Sequence, residues 1–165
     1  SCSLVGSEMC IRDRSILRII DKYKVPHHFI EIELTETTTD VDYKELKKIV
    51  YGLREQDIST SVDDFGVGYS SLNLIREMPW NVLKIDKSFL PTQEEEDNDP
   101  SKVKMLRHII TMSQDLGLEC IVEGVETAEQ VKLLKDCKCY LAQGFYFDRP
   151  LPVKEFEQKL ESAAG

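Results

Sequence analysis

Six acidic side chains and one lysine stand where they could do chemistry together. The acids lie at or just past the ends of separate predicted strands: Glu33, Glu36, Asp63, Asp64, Asp86 and Glu123. Carboxylates that converge within about 4 Å repel by roughly 4 kcal/mol per pair at an effective dielectric near 20, unless cations neutralise them. Oxygen ligands of this kind select magnesium or manganese rather than zinc. The acids therefore predict a divalent-cation site.

A site with two such cations could cleave a phosphodiester. Two metal ions about 3.5 to 4 Å apart lower the pKa of a water molecule and stabilise the attacking and leaving oxygens of an in-line displacement. Lys84 lies two residues before Asp86 on one predicted strand, so both side chains face the same side. We expect Lys84 to supply positive charge where negative charge grows on the phosphate.

The same residues also have plainer interpretations. Asp63 and Asp64 could cap the helix that follows them, and Lys84 could be a salt-bridged structural lysine. Gly66 could be an ordinary turn glycine, although a functional loop needs the same positive φ. A barrel lyase or aldolase with Lys84 as a Schiff base is a further alternative, which trapping with borohydride would separate from a hydrolase.

The elements that must position these residues alternate between strands and helices. Hydrophobic periodicity predicts strands at 29–34, 59–64, 82–86, 119–123 and 140–142, each followed by a helical segment. This order predicts parallel strands joined by right-handed crossovers. Five units are too few to close an eight-stranded barrel, so an open sheet is the alternative. Acids at the carboxyl ends of several strands favour an α/β fold of the TIM-like (β/α) barrel type, truncated to about five βα units.

Composition and charge exclude several function classes. The chain has 165 residues and a formal net charge of −9, whereas a DNA or RNA polymer needs a basic stripe. No apolar run in the sequence approaches the roughly eighteen residues of a membrane span. The five cysteines have no regular spacing, which predicts reduced thiols. We expect a cytoplasmic protein with no membrane segment in this chain.

Five motifs occur in the order and spacing of one known family. They are Glu33-Leu34-Thr35-Glu36, Asp63-Asp64-Phe65-Gly66 with Gly68-Tyr69-Ser70-Ser71-Leu72, Leu83-Lys84-Ile85-Asp86, Glu123-Gly124-Val125-Glu126-Thr127, and Gln143-Gly144 with Arg149-Pro150-Leu151-Pro152. Through these motifs the chain resembles the C-terminal portion of EAL domains, strands four to eight of the barrel. EAL domains are cyclic di-GMP phosphodiesterases of bacterial second-messenger signalling.

The resemblance implies an activity and a role for each matching residue. It implies two bound Mg²⁺ or Mn²⁺ ions and hydrolysis of cyclic di-GMP to linear pGpG. Glu33, Asp63, Asp64 and Glu123 would bind metal, Lys84 would contact the attacking water or the phosphate, and Glu123 would also be the candidate base. Residues that would support the loop or bind substrate are Glu36, Phe65, Gly66, Ser70, Asp86, Glu126 and Gln143. The family also pairs through the helix after the 64–71 loop, which implies a homodimer.

The sequence departs from the family in what it lacks. The Glu-Ala-Leu motif and an Asn metal ligand of the family are absent, and their places would precede Ser15. We therefore expect an active phosphodiesterase in the parent protein, while this chain alone is inactive and tends to associate through unpaired strand edges. A catalytically silent module that binds cyclic di-GMP or a protein partner is the alternative. Any upstream domains and any membrane anchor would lie before this sequence, which does not reveal the input signal either.

Residues 1–14 are set apart from the fold prediction. The stretch from Leu4 to Asp13 matches the translation of a transposase adapter used in sequencing libraries, and it shows no amphipathic period. We interpret residues 1–14 as non-native and residues 15–165 as the C-terminal portion of an EAL domain. A continuous genomic read through this stretch would refute that interpretation.

Overall fold

A five-stranded parallel sheet forms the centre of the protein. The computed structural model describes residues 9–35, 43–67, 72–92 and 100–163. The strands pair in chain order, and every pair is parallel. Their bounds are β1 Glu31–Thr35, β2 Ser59–Phe65, β3 Val82–Ile85, β4 Glu119–Val122 and β5 Leu141–Ala142. The predicted α/β fold with parallel strands is thus confirmed, and in the described residues the sheet is open, with β1 and β5 at its edges.

Helices precede, connect and follow the strands. Their bounds are α1 Met9–Lys22, α2 Tyr43–Glu55, α3 Leu72–Glu77, α4 Ser101–Asp115, α5 Ala128–Asp136 and α6 Val153–Ala163. Two short 3₁₀ turns, His27–Phe29 and Lys87–Phe89, stand next to β1 and β3. In the part of the chain that the structure describes, no helix is both long and apolar enough for a membrane span.

Local sequence signals account for the helices that flank the sheet. In α2, Leu46, Val50 and Leu53 are all buried, because a spacing of four and then three residues places them on one face. Helix α5 begins with a capping box, in which the Thr127 side chain accepts from the Gln130 N–H and the Gln130 side chain accepts from the Thr127 N–H. The apolar stripe of α2 thus determines which of its faces meets the sheet, and the capping box determines where α5 begins.

The two faces of the sheet differ in character. Leu34, Val62 and Leu83 are neighbours in register and pack against α2 in one apolar cluster. Full burial of such a side chain stabilises the fold by about 1.5–3 kcal/mol. Because strand side chains alternate between faces, Glu33 and Lys84, each next to one of these leucines, lie on the opposite face. We call the face that packs against α2 the outer face, and it contributes the apolar core. The opposite face, here called the inner face, carries Glu33 and Lys84.

Each strand differs from the prediction by one or two residues at an end, and at two of these ends a short turn takes the residue. Phe29 was expected to begin β1, but it lies in a 3₁₀ turn and is 74% exposed. The turn forms because the Phe29 N–H donates to the Pro26 carbonyl at 3.1 Å. Asp86 was expected to end β3, but it lies beyond the strand and caps the turn Lys87–Phe89. Phe29 and Asp86, which periodicity assigned to strands, therefore belong to the two 3₁₀ turns, Asp86 as the cap of the second.

Candidate active site

Lys84 lies at the centre of an acidic cluster on the inner face. Its Nζ is 2.7 Å from Glu33 Oε1, 2.7 Å from Glu123 Oε1 and 3.2 Å from Asp63 Oδ1. An ammonium group has three N–H donors, and the acids come from β1, from β2 and from the residue after β4. The Lys84 side chain is only 6% exposed. The cluster therefore joins the carboxyl ends of four neighbouring strands, as predicted for residues at these positions.

An irregularity in β2 brings two consecutive acids into the cluster. A regular strand sends neighbouring side chains to opposite faces, which would separate Asp63 from Asp64. Here the register between β2 and β3 shifts between Val62 and Phe65, and Asp64 has a φ of 53°. Such a bulge redirects a side chain. As a result, one carboxylate oxygen from each of Asp63, Asp64 and Glu123 lies within 4.8 Å of the others.

The donor set of this cluster fits a divalent cation. Asp63 Oδ1 is buried and accepts no hydrogen bond among the described residues. The Lys84 Nζ lies 3.2 Å from this oxygen as an ion-pair partner. A buried carboxylate oxygen without a donor is costly, and a cation ligated by Asp63, Asp64 and Glu123 would satisfy it. All three residues offer the oxygen ligands that Mg²⁺ and Mn²⁺ prefer.

The acids lie close enough together to disfavour their own ionisation. Burial raises the pKa of Asp64, and the charge of Asp63 raises it further. Burial also raises the pKa of Glu123, and this effect outweighs the hydrogen bond from Lys84. Burial alone would lower the pKa of Lys84, but hydrogen bonds to Glu123 and Glu33 raise it. Lys84 therefore stays charged, and the cluster has more negative charge than one ammonium compensates.

Glu123 is held in place by its neighbours along the chain. Gln143 Nε2 donates to Glu123 Oε1, and the Gln143 backbone N–H donates to the Val122 carbonyl at 3.0 Å. Because Glu123 comes directly after β4 and Gln143 directly after β5, this contact adds the end of a fifth strand to the cluster. The side chain of Glu123 is 17% exposed, so solvent or a ligand still reaches it.

A cavity of about 520 Å³ opens beside Glu123. Its volume lies within the range of about 300–1,000 Å³ that small-molecule sites occupy. The wall carries charge of both signs and an aromatic ring, and includes Asp86, Lys87, Glu123, Glu126, Gln143, Phe145 and Arg149. The Arg149 guanidinium lies 4.6 Å from the centre of the Phe145 ring. The cavity therefore offers acidic, basic and aromatic groups to a ligand.

Asp86 caps the short turn that carries Lys87 into the cavity wall. Its Oδ1 accepts from the Ser88 N–H at 2.9 Å. Burial would raise the pKa of Asp86, but hydrogen bonds from Ser88 and Lys87 lower it overall. Asp86 thus stays ionised as the cap of the turn Lys87–Phe89, at the edge of the acidic cluster.

Five predicted residues remain to be located. Glu126 lines the cavity, and its N–H donates to Gln130 Oε1 at 2.8 Å. Phe65 packs in the apolar cluster of the outer face and is 5% exposed, so its ring supports the strand from behind. Gly66 adopts a φ of 96° directly after β2. Glu36 and Ser70 lie outside the described residues.

Three residues that the structure places near the site were given no role from sequence. Lys87 and Phe145 line the cavity, and Phe89 packs against Gly66. Lys87 and Phe89 directly follow the predicted strand that holds Lys84, and Phe145 follows Gln143-Gly144. Their nearness to the motifs was the available signal. Nothing in the spacing, however, indicates which face of a turn such residues occupy.

The fold and the site together define a parallel α/β domain with a metal-competent acidic centre. A family model for the EAL domain matches residues 2–150, and the chain belongs to this family. Its match begins inside the segment interpreted as adapter, whose origin stays a prediction.

Curated relatives and solved structures agree with the family match. The signalling protein YkoW of Bacillus subtilis is 40% identical over 139 residues, which are 84% of this chain and 17% of YkoW. The cyclic di-GMP phosphodiesterase NbdA of Pseudomonas aeruginosa is 38% identical over 81% of this chain and 17% of NbdA. The chain thus spans under a fifth of these relatives. The EAL domain of Mycobacterium smegmatis DcpA superposes with a TM-score of 0.85 at 30% identity, over 96% of this chain and 69% of that one.

Proposed function

We propose that this chain is the C-terminal portion of a metal-dependent cyclic di-GMP phosphodiesterase that produces linear pGpG. The observation that carries the proposal is the cluster of Asp63, Asp64 and Glu123 beside Lys84, with a buried Asp63 oxygen that accepts no hydrogen bond from the residues that the structure describes. The relative NbdA is named as a cyclic di-GMP phosphodiesterase. A similar structure is the phosphodiesterase PaMucR in complex with cyclic di-GMP, and it supports the same substrate.

Four acids would hold the metal ions. Carboxylate oxygens of Asp63, Asp64 and Glu123 lie close to one another. Glu33 lies beside them, because its carboxylate pairs with the Lys84 ammonium that also contacts Asp63 and Glu123. We propose Mg²⁺ or Mn²⁺, because carboxylate ligands suit both ions and because a similar structure, Klebsiella pneumoniae BlrP1, was solved as a manganese and cyclic di-GMP complex. Bound cations of this kind supply an activated water and stabilise charge on phosphate oxygens.

In hydrolysis, Lys84 would stabilise negative charge on the phosphate, and Glu123 would be the general base. The raised pKa of Lys84 keeps its Nζ protonated, so it donates hydrogen bonds to a phosphate oxygen as negative charge grows there. Glu123 accepts a proton from the attacking water at a carboxylate oxygen, and its raised pKa suits a general base. Gln143 keeps that carboxylate oriented through its amide donor.

The cavity beside Glu123 would hold the cyclic dinucleotide. Lys87 and Arg149 supply positive charge for phosphates, while Phe145 offers a flat face for a guanine base. Glu126 and Gln143 line the same wall and would hydrogen-bond to the ligand. We propose that the substrate lies across this wall, with the scissile phosphate toward Lys84.

The sequence contains no Glu-Ala-Leu motif, so we propose that the 165-residue chain alone does not turn over. The test joins it to the N-terminal part of a complete EAL domain, such as that of DcpA, and measures pGpG release with Mg²⁺ and with Mn²⁺. We expect activity in the joined protein, and a loss of about 100-fold or more in Lys84→Ala and in Glu123→Gln, as for other groups that act in the transition state.

The control for Glu123→Gln is Glu119→Gln, which changes an exposed acid at the other end of β4. We expect it to keep the activity of the joined protein. Equal rates in Lys84→Ala, Glu123→Gln and Glu119→Gln would defeat the assigned mechanism. Binding of cyclic di-GMP by calorimetry without any product would instead favour a silent regulatory module.

Two further features of the parent protein are proposed on this basis. The described cysteines Cys120, Cys137 and Cys139 are free thiols, which suits a cytoplasmic location. Leu72 at the start of α3 is 61% exposed, and we propose that this helix contributes to pairing of two copies. Sedimentation of the joined protein tests the pairing, with Leu72→Asp expected to shift it toward the monomer.

A further inference from the structure

The turn Lys87–Phe89 touches the backbone beside the acids of β2. The ring of Phe89 lies so close to Gly66 that a Cβ atom at this glycine would sit 2.1 Å from Phe89 Cε2. Real Cβ atoms do not approach a ring carbon this closely, so any side chain at this position would displace the Phe89 ring. Gly66 comes two residues after Asp64, and the Val67 N–H donates to the Asp64 carbonyl at 3.1 Å. The ring therefore covers the tight turn that ends the acidic pair.

The same turn touches the backbone beside Glu123. A Cβ atom at Gly124 would lie 2.5 Å from the Cβ of Lys87, and Gly124 has a φ of 68°. Gly124 is the residue directly after Glu123, whose N–H donates to the Ile85 carbonyl at 2.9 Å. One short turn thus contacts both loops that carry the metal-competent acids.

The turn is itself held by three hydrogen bonds. Asp86 Oδ1 accepts from the Ser88 N–H at 2.9 Å. The Phe89 N–H donates to the Asp86 carbonyl at 3.1 Å, and the Leu90 N–H donates to the Lys87 carbonyl at 2.9 Å. Because these bonds fix the short turn, the contacts with the two glycines come from a stiff element.

We propose that the turn Lys87–Phe89 sets the spacing between the Asp63–Asp64 pair and Glu123, and that Phe89 is a positioning residue acting on that pair through Gly66. This inference rests on the proposed metal site. It assigns Asp86 the task of capping the turn, so Asp86 acts on the acids through the turn.

The first experiment compares the 165-residue chain with its Phe89→Ala variant. Mn²⁺ affinity is measured by calorimetry, and amide hydrogen exchange is measured at Val67. Loss of groups that orient metal ligands typically weakens binding by 10- to 100-fold, so we expect about tenfold weaker Mn²⁺ binding together with faster exchange at Val67. The control is Phe29→Ala, because Phe29 is 74% exposed and remote in the chain from this turn. Unchanged affinity and unchanged exchange in Phe89→Ala would overturn the proposal.

A second pair of variants keeps the test decisive if Phe89→Ala fails to fold. Gly66 and Gly117 both have positive φ, 96° and 73°, but a Cβ atom at Gly117 would meet nothing within 4 Å. Gly117→Ala therefore introduces backbone strain alone, whereas Gly66→Ala also displaces the Phe89 ring. We expect weaker Mn²⁺ binding in Gly66→Ala than in Gly117→Ala, and equal binding would overturn the proposal.

The two readouts separate this inference from the proposed function. If the unaltered chain binds no Mn²⁺, the proposed metal centre is wrong, yet exchange at Val67 in Phe89→Ala still decides whether the turn holds the loop. If the chain binds Mn²⁺ and Phe89→Ala binds it equally well, the metal centre stands and the positioning role is wrong.

Discussion

The centre of the sheet and its β5 edge differ in how completely they are built. Leu83 and Ile85 of β3 are fully buried, and Lys84 between them is held by three acids. At the other end, Leu141 of β5 is 41% exposed, and Phe156 and Leu160 of α6 are 52% and 55% exposed. The acidic cluster therefore lies on tightly packed strands, while β5 and the helix that follows it in the chain expose apolar surface.

The largest expected effect comes from truncating one apolar side chain in β3 and one in α6 and comparing the loss of stability. We expect Leu83→Ala to lower the free energy of unfolding by about 4 kcal/mol, because it leaves a cavity in a fully buried position. Phe156→Ala removes a larger side chain from an exposed position, and we expect a change within about 0.5 kcal/mol. Urea denaturation measures both. Similar losses in the two variants would show that the β5 edge is packed as tightly as the centre.

Lys84 tests whether the centre depends on charge as well as packing. Lys84→Met leaves buried carboxylates without their partner, and breaking such a pair costs about 3–5 kcal/mol. We expect the free energy of unfolding to fall by about 3 kcal/mol, at the lower end of this range. Glu33 is 51% exposed, so solvent screens part of the electrostatic effect. The measurement is urea denaturation with and without Mn²⁺, and the ion should recover part of the loss by compensating the acids. Lys104→Met, at an exposed position of α4, is the control and should change little.

The β5 edge is tested through association. The exposed apolar residues Phe156 and Leu160 are four apart on α6, and so lie on one face. We expect the chain to self-associate, and Phe156→Glu with Leu160→Glu to shift it toward the monomer in sedimentation velocity. Stability should change by at most about 0.5 kcal/mol. A chain that is already a single monomer species without these substitutions would contradict the expectation of an unpartnered edge.

The smallest expected effect is a pH dependence beside the β1 edge. His27 Nδ1 pairs with the Gln56 carbonyl at 2.7 Å and Nε2 with Asp21 at 3.1 Å, and these contacts raise the pKa of His27 above its ordinary 6.5. A raised pKa in the folded state means that protonation favours folding. The contribution is therefore complete below pH 6.5 and is lost as the pH rises through the folded-state pKa.

Urea midpoints of the parent chain and of His27→Gln measure this effect between about pH 5.5 and pH 8.5, on either side of the ordinary histidine pKa. The difference between the two proteins should shrink as the pH rises. A difference that stays constant or grows would contradict the assigned sign.

Much of this architecture follows from simple patterns. Alternation in β1 and β3 correctly separates Glu33 and Lys84 from the apolar face, and parallel strands bring their carboxyl ends to one edge of the sheet. Thr127 with Gln130 predicts the start of α5, because a capping box satisfies donors within the local chain. These features depend on short-range rules, so the sequence suffices.

Other features depend on contacts that the sequence pattern does not contain. The positive φ of Asp64 arises with a register shift between β2 and β3, which involves residues of two strands. The turn at Phe29 competes with a strand whose pattern fits equally well, and a hydrogen bond to Pro26 accompanies the turn. The approach of Phe89 to Gly66 joins segments more than twenty residues apart. Contacts beyond the local pattern determine these three features, so local propensity does not predict them.

Anomalous diffraction from crystals soaked in Mn²⁺ would examine the central claim most directly. We predict a manganese peak bonded to carboxylate oxygens of Asp63, Asp64 and Glu123, beside the Lys84 ammonium. A map without manganese at these acids, with their side chains directed away from one another, would contradict the account.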